Sequence, residues 1–236
     1  MKALIVLPTY NEVENLRPLW EAIQAQVPDI SLLVVDDHSP DGTGQEADRL
    51  AQENPRVHVL HREGKLGLGT AYLAGFRWAL ERDFDPILEM DADFSHDPGH
   101  LPAILASSGA ADLVLGSRYT VGGGTANWSW ARRMLSLGGN TYARIMLDLP
   151  YTDLTGGFKC FRRRVLEAIP LDEIHSEGYG FQVEMTWRAL NAGFRVMELP
   201  ITFHERRVGQ SKISRRIVLE ALALVARLRW EKSRNG

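Results

Sequence analysis

Hydrophobic and polar positions along this chain change rhythm in a regular way. From residue 3 to about residue 116, short runs rich in β-branched and aliphatic residues alternate with amphipathic segments. That alternation is the pattern of βαβ units around a mainly parallel sheet, an α/β, Rossmann-like architecture. Strands are expected at Ala3 to Leu7, Leu32 to Asp36, Val57 to Leu60, Ile87 to Met90 and Leu113 to Leu115. Helices are expected between them, near 13 to 26, 43 to 53, 68 to 82 and 99 to 107, with right-handed crossovers. After Arg118 come a Gly-rich loop, a long helical stretch, a short strand around Gly157 to Phe161, further helix and an extended run from Arg195 to His204. A last amphipathic helix covers about Ile213 to Trp230. No repeat or low-complexity linker interrupts this order, so one domain over 1–236 is expected, with halves at 1–118 and 119–212 and a C-terminal helix in 213–236.

Composition narrows the classes of function. A hydrophobic share of 44% over 236 residues supports an adequate core. A net charge of -3 and a pI near 6.2 leave no basic excess for a nucleic-acid surface. The lone Cys160 lies in a strand-like segment, where it is expected to pack as a small hydrophobe, and a reducing compartment is compatible with it. No apolar stretch approaches the length needed to cross a bilayer, and the opening residues are too short for a secretory segment.

Open sheets of this kind bind ligands beyond the carboxyl ends of their strands, where Asp36, Asp37, Asp91 and Asp93 cluster. Asp91-Ala92-Asp93 closes the fourth apolar run. On a strand residues two apart share a face, so both carboxylates are expected to look into one space. Like charges that close oppose each other's ionisation unless a divalent cation lies between them. Mg2+ or Mn2+ suits the role, and Mg2+ completes its shell with water and substrate phosphates, so a diphosphate is the expected ligand. The competing reading is ordinary helix-start chemistry before Asp97-Pro98. After the first strand, Pro8 ends the ladder, Tyr10 offers a flat face and Glu12 opens a helix, a setting for a purine base that also allows Asn11 to cap. Asp37, after the second strand, is the expected ribose contact. The turn from His38 to Gly44 carries Thr43 as a helix cap. Gly64 to Thr70 satisfies neither dinucleotide nor Walker spacing and is a close-approach loop at best.

Leu-Pro-Thr-Tyr-Asn-Glu from Leu7, Val-Val-Asp-Asp-His-Ser-Pro-Asp-Gly-Thr from Val34, Gly-Lys-Leu-Gly-Leu-Gly-Thr-Ala-Tyr from Gly64 and Met-Asp-Ala-Asp-Phe-Ser-His-Asp-Pro from Met90 occur in that order. Gly116 to Tyr119, Asp153 to Phe158, Gly178 to Met185 and Gly209 to Lys212 extend the series. Together they resemble the inverting family 2 glycosyltransferases of GT-A fold, and within them the dolichyl-phosphate mannose synthases. The resemblance implies transfer of mannose from GDP-mannose to a polyprenyl (dolichyl) phosphate at the cytoplasmic membrane face. It also implies that Pro8, Tyr10, Glu12, Val35 and Asp37 hold guanosine, with Asp91 and Ala92 beside the diphosphate. Asp91, Asp93 and Ser95 would surround the metal. Some members carry Gln where this chain has Ser95, and the shorter hydroxyl reaches an ion less directly.

A phosphate monoester has a second pKa of about 6 and arrives as a nucleophile, so cations to position it matter more than a general base. Arg118, Arg206 and Lys212 are the candidates, and Asp153 is expected either to orient the acceptor or a loop or to serve a structural turn. Gln182 and Glu184 are expected to support the site. Thr120 to Asn127, with three successive glycines, is expected to act as a lid. Trp128 and Trp130 with Arg132 and Arg133 suit a bilayer surface or, alternatively, core packing. The last helix reads as interfacial, as packed on the sheet, or as docked on a membrane-anchored partner subunit. Glucosyl or N-acetylhexosamine transfer from a UDP-sugar is the alternative within the class. A sugar-nucleotide nucleotidyltransferase and a noncatalytic nucleotide-sugar binder are the alternatives outside it.

Overall fold

The computed structural model describes residues 2–205 and 215–235. Five strands form the expected parallel frame: β1 (Leu4–Thr9), β2 (Ser31–Asp36), β3 (Val57–His61), β4 (Ile87–Glu89) and β5 (Leu113–Ser117). The helices between them are α1 (Val13–Gln26), α2 (Thr43–Glu53), α3 (Leu68–Leu80) and α4 (Leu101–Ser107), the last preceded by a short 3-10 turn. The second half adds β6 (Gly124–Thr125), α5 (Trp130–Leu147), β7 (Lys159–Phe161), α6 (Arg163–Ala168), α7 (Gly178–Asn191), β8 (Val196–Pro200), β9 (Thr202–Phe203) and α8 (Arg215–Asn235). The main sheet has seven strands in the order β3-β2-β1-β4-β7-β5-β8.

Alternation along the strands builds two layers. Ile5, Leu7, Leu32, Val34 and Leu88 pack against Leu16, Leu19, Ile23, Leu50 and Ile104 on one face. Leu4, Val6, Leu33, Val35 and Ile87 pack against Tyr72, Phe76, Phe181 and Met185 on the other. A sheet covered on both faces has no polar side to present, which is why these strands read as continuous apolar runs. Gly75 marks how closely α3 lies on β1: a Cβ there would fall 2.3 Å from Val6.

β7 departs from the parallel expectation. It is inserted antiparallel between β4 and β5, pairing Glu89 with Lys159 on one side and Leu115 with Lys159 on the other. It is also shorter than expected, because Gly157 and Phe158 precede the ladder. Cys160 sits inside it, buried as anticipated.

β1 is flanked by β2 and β4, so the chain winds outward to β3 and then returns to the opposite side of β1. Such a reversal opens a crevice at the carboxyl ends of the strands. The loops after β1, β2 and β4 lead away from those ends.

Candidate active site

The loops after β1 and β2 are cross-linked before any ligand is considered. Glu12 N donates to Thr43 Oγ1 at 2.9 Å and Val13 N to Asp41 Oδ2 at 3.2 Å, while the Thr43 hydroxyl donates to Asp41 at 2.6 Å. Thr43 is therefore not the cap expected for α2, whose N-cap is Gly42. Nor does a side chain of α1's own N-cap close that helix; Asp41 receives its first N–H from across the turn. Asp36 is spent on the same junction, accepting from the Thr9 and Ser39 hydroxyls. Asp37 faces elsewhere: its two oxygens accept from Arg62 Nη1 at 2.8 Å and Leu66 N at 3.2 Å. Burial raises its pKa, against the pull of the Arg62 charge. Lys65 Nζ lies 4.2 Å over the Tyr10 ring, so Tyr10 and Asp37 border one space walled by the loop after β3.

β4 stops at Glu89, and Asp91, Ala92 and Asp93 lie in the bend that follows. Strand alternation therefore does not orient the pair, contrary to expectation. Local hydrogen bonds do so instead. Tyr72 donates its hydroxyl to Asp91 Oδ1 at 3.2 Å, and Ser95 N donates to Asp93 Oδ1 at 3.0 Å. Phe94, at φ 61°, takes the left-handed conformation that folds the bend back. Among the described residues no group of three or more His, Cys, Asp or Glu side chains could hold a metal. Two carboxylates are nonetheless the donor set Mg2+ uses when phosphates and water complete its shell, and Mn2+ accepts similar oxygen ligands, so the residues present fit the ion. Ser95 is buried beside Asp93 and holds that carboxylate through its backbone.

His96, within the Met90 to Pro98 motif, is a further determinant of the bend. Its Nδ1 accepts from Asp91 N at 3.0 Å, and the ring stacks on Phe158 at 4.8 Å. Burial pushes its pKa down to about 4. The 3.9 Å approach of Nε2 to Asp91 Oδ2 is thus no ion pair, because the ring is neutral. With a folded pKa below the ordinary 6.5, this group favours folding above pH 6.5 and loses that contribution as pH falls toward 4. Urea unfolding of wild type should show this loss between those two pH values, and His96→Gln should flatten it; equal slopes would remove the assignment.

Arg118 and Asp153 meet, but not as two independent site residues. Arg118 Nε and Nη2 form a fork on the Asp153 carboxylate at 2.7 and 2.6 Å, and Arg118 N adds a third bond at 2.9 Å. Burial disfavours both charges, yet each holds the other ionised: Arg118 is raised and Asp153 lowered relative to their ordinary values. Glu198 accepts from Thr152 N and Asp153 N, and Asn140 accepts from Leu154 N and Thr155 N, fixing the loop that carries Asp153. The guanidinium lies within 5.5 Å of the Tyr119, Trp128 and Phe203 ring centroids. No described residue accepts from its Nη1. Arg132 stacks on the other part of this cluster, 4.2 Å from the Trp128 centroid. Trp128 is half-buried, against Phe203, whereas Trp130 is 76% exposed, so core packing does not hold for Trp130.

The expected lid is tied down. Gly124 N donates to Ile201 O and Ala126 N to Phe203 O, and β6 pairs with β9. Gly123 is required by proximity: a Cβ would sit 2.4 Å from Ser117 O. Arg206 and Lys212 lie outside the described residues.

From the Arg118 cluster an apolar groove of about 380 Å³ runs between α5, α7 and α8, lined by Leu135, Tyr142, Tyr179, Val183, Leu222 and Val225 among others. Thr155 and Arg132 line it too. Thr155 Oγ1 accepts from Arg118 Nη2 at 2.8 Å, so the apolar groove and the buried ion pair share a wall.

The model of "Glycosyl transferase family 2" matches residues 4–169. An undecaprenyl-phosphate mannosyltransferase of Micrococcus luteus is 52% identical over 235 residues, covering 98% of this chain and 97% of the relative. A polyprenol monophosphomannose synthase of Mycolicibacterium smegmatis is 50% identical over 227 residues, covering 95% and 86%. Among solved structures, glucosyl-3-phosphoglycerate synthase from Mycobacterium tuberculosis in complex with Mg2+ and uridine-diphosphate superposes with a TM-score of 0.69 at 17% identity, covering 96% of this chain and 79% of that one. Its complex with Mn2+, uridine-diphosphate and phosphoglyceric acid gives a TM-score of 0.68. The GT-A fold follows from that likeness, and the family match over most of the chain, joined by relatives at about half identity, shows that the chain belongs to glycosyl transferase family 2.

Proposed function

We propose that this protein transfers mannose from GDP-mannose to a polyprenyl phosphate, with inversion and in one displacement. The observation that carries the reading is the apolar groove sharing a wall with Arg118 and Arg132, a shape for an acceptor with a hydrocarbon body and an anionic head. The relatives, an undecaprenyl-phosphate mannosyltransferase and a polyprenol monophosphomannose synthase, support the choice of sugar and lipid class.

Tyr10 and Asp37 border the nucleoside space, with Pro8 and Val35 paired at the ends of β1 and β2 and Glu12 at the N-cap of α1. Asp91 and Asp93 would hold Mg2+ or Mn2+, which when bound offsets charge growing on the leaving diphosphate. The acceptor phosphate, ionised near neutral pH, needs orientation rather than deprotonation. Arg118 Nη1 and Arg132 are the described donors for it, and Arg206 and Lys212 are proposed to join them. The aromatic box around Arg118 limits water, the competing nucleophile at the anomeric carbon. On the helices that flank the groove, Trp130, Leu135 and Ile145 of α5 and Trp230 of α8 are exposed, and α5 also carries the exposed Arg133 and Arg144, which supports contact with a membrane surface. No described helix is long and apolar enough to cross a membrane.

The test offers radiolabelled GDP-mannose, UDP-glucose and UDP-GlcNAc in parallel, with Mg2+ or Mn2+ and a short polyprenyl phosphate. Lipid-linked label is expected from GDP-mannose and should vanish on chelation. Product from a UDP-sugar alone would refute the donor. Release of pyrophosphate from a nucleoside triphosphate would move the protein to another class.

A further inference from the structure

The helix α3 begins without a cap of its own. Its N-cap is Gly67, at φ 106°, which has no side chain to satisfy the first N–H groups. The missing acceptor comes from more than a hundred residues away. Glu177 Oε2 accepts from Gly69 N at 2.9 Å and Oε1 takes the longer bond from Thr70 N at 3.4 Å. The two segments lie close: a Cβ on Gly69 would fall 2.5 Å from the backbone oxygen of Ser176, and one on Gly67 2.6 Å from the Glu177 carboxylate. Glu177 is also the N-cap residue of α7, whose first turn closes on its carbonyl through Gly180 N and Phe181 N. One residue therefore closes the start of two helices, one from each half of the chain.

The loop that Glu177 anchors is the wall of the nucleoside space. Arg62 reaches from Asp37 to the Gly67 carbonyl and to Thr70 Oγ1, at 3.4 and 2.7 Å. Leu66 N holds the second Asp37 oxygen, and Lys65 covers Tyr10. Arg62, Lys65 and Leu66 thus join the loop to Asp37 and Tyr10, and the far end of that stretch is fastened by Glu177.

We propose that Glu177 is a positioning residue for the nucleoside end of the donor, holding the 62–70 loop in place from the acceptor half. This rests on the reading of Tyr10 and Asp37 as nucleoside contacts. The side chain acts on the nucleotide only through the loop, so donor binding should suffer while the chemical step does not.

The test uses the full-length chain with Glu177→Ala and Glu177→Gln. The alanine variant should raise the donor KM and the GDP dissociation constant, measured with Mg2+, about tenfold, with kcat and acceptor KM within about threefold of wild type. Glutamine keeps one carbonyl oxygen for Gly69 N and should restore most of the affinity. Independently of any nucleotide, amide exchange at Leu66, Gly69 and Thr70 should quicken about tenfold in the alanine variant. Unchanged exchange at Leu66, or an equal fall in kcat for both variants with donor affinity intact, would overturn the proposal. Failure of GDP to bind wild type would instead count against the donor reading, and the exchange measurement would still decide whether Glu177 holds the loop.

Discussion

Asp93→Ala should lower mannosyl transfer by about a thousandfold or more, the scale expected when a group that stabilises transition-state charge is lost. Alanine removes two things at once, because Asp93 Oδ1 also accepts from Ser95 N and so shapes the bend after β4. Asp93→Asn separates them. The amide oxygen can keep the bond from Ser95 N while the negative charge disappears, so the asparagine variant should melt like wild type and still be inactive. Titration calorimetry with Mn2+ in the presence of GDP should show metal binding lost in both variants. If Asp93→Asn keeps activity within about tenfold, the carboxylate serves the bend and not an ion. Tyr72→Phe should be milder, about tenfold in kcat, because it removes one orienting hydrogen bond from Asp91 and leaves the charge.

The parallel frame was legible because its strands are buried on both faces and separated by helices with a one-sided apolar pattern, so β1 through β5 and α1 through α4 fall within a few residues of the positions read from the chain. The ends of β1 and β4 were not. Ladder bonds continue through Thr9 beyond Pro8, and β4 stops before Met90, because termination depends on what the neighbouring strand offers and not on local hydrophobicity. The insertion of β7 was equally hidden: three residues of strand carry no sign of direction. At the site, carboxylates at strand ends announced themselves by position. Their partners did not. Arg62, Tyr72, Asn140, Glu177 and Glu198 act across long stretches of chain, and the local trace is slight, a polar side chain interrupting an apolar run as Glu198 does in β8; His96 lies only five residues from Asp91, but nothing in the motif says which group its ring meets. The glycines at 122–124 suggested mobility, but close approach to Ser117 explains Gly123 and ladder bonds hold Gly124.

Arg118 is the candidate cation for the acceptor that the structure describes most fully, and its burial against Asp153 makes the simple alanine test ambiguous. Removing either partner strands the other charge in a buried site, which costs about 3–5 kcal/mol and can abolish activity by unfolding alone. The pair must therefore be removed together. In Arg118→Met/Asp153→Asn the buried charges vanish, and the asparagine oxygen can still accept from residue 118 N, which the native Asp153 does at 2.9 Å. Chemical denaturation should find each single variant destabilised by about 3–5 kcal/mol and the double variant much nearer wild type, because a buried ion pair contributes little net stability once both charges are gone. Activity should part company with stability. If Nη1 orients the acceptor phosphate, the stable double variant remains at least about a hundredfold slower in kcat/KM for the polyprenyl phosphate, with GDP affinity unchanged. Recovery of activity along with stability would mean that Arg118 and Asp153 hold the 152–155 loop and nothing more. The acceptor's head would then have to be met by Arg132, whose guanidinium stacks on the same tryptophan and lines the same groove.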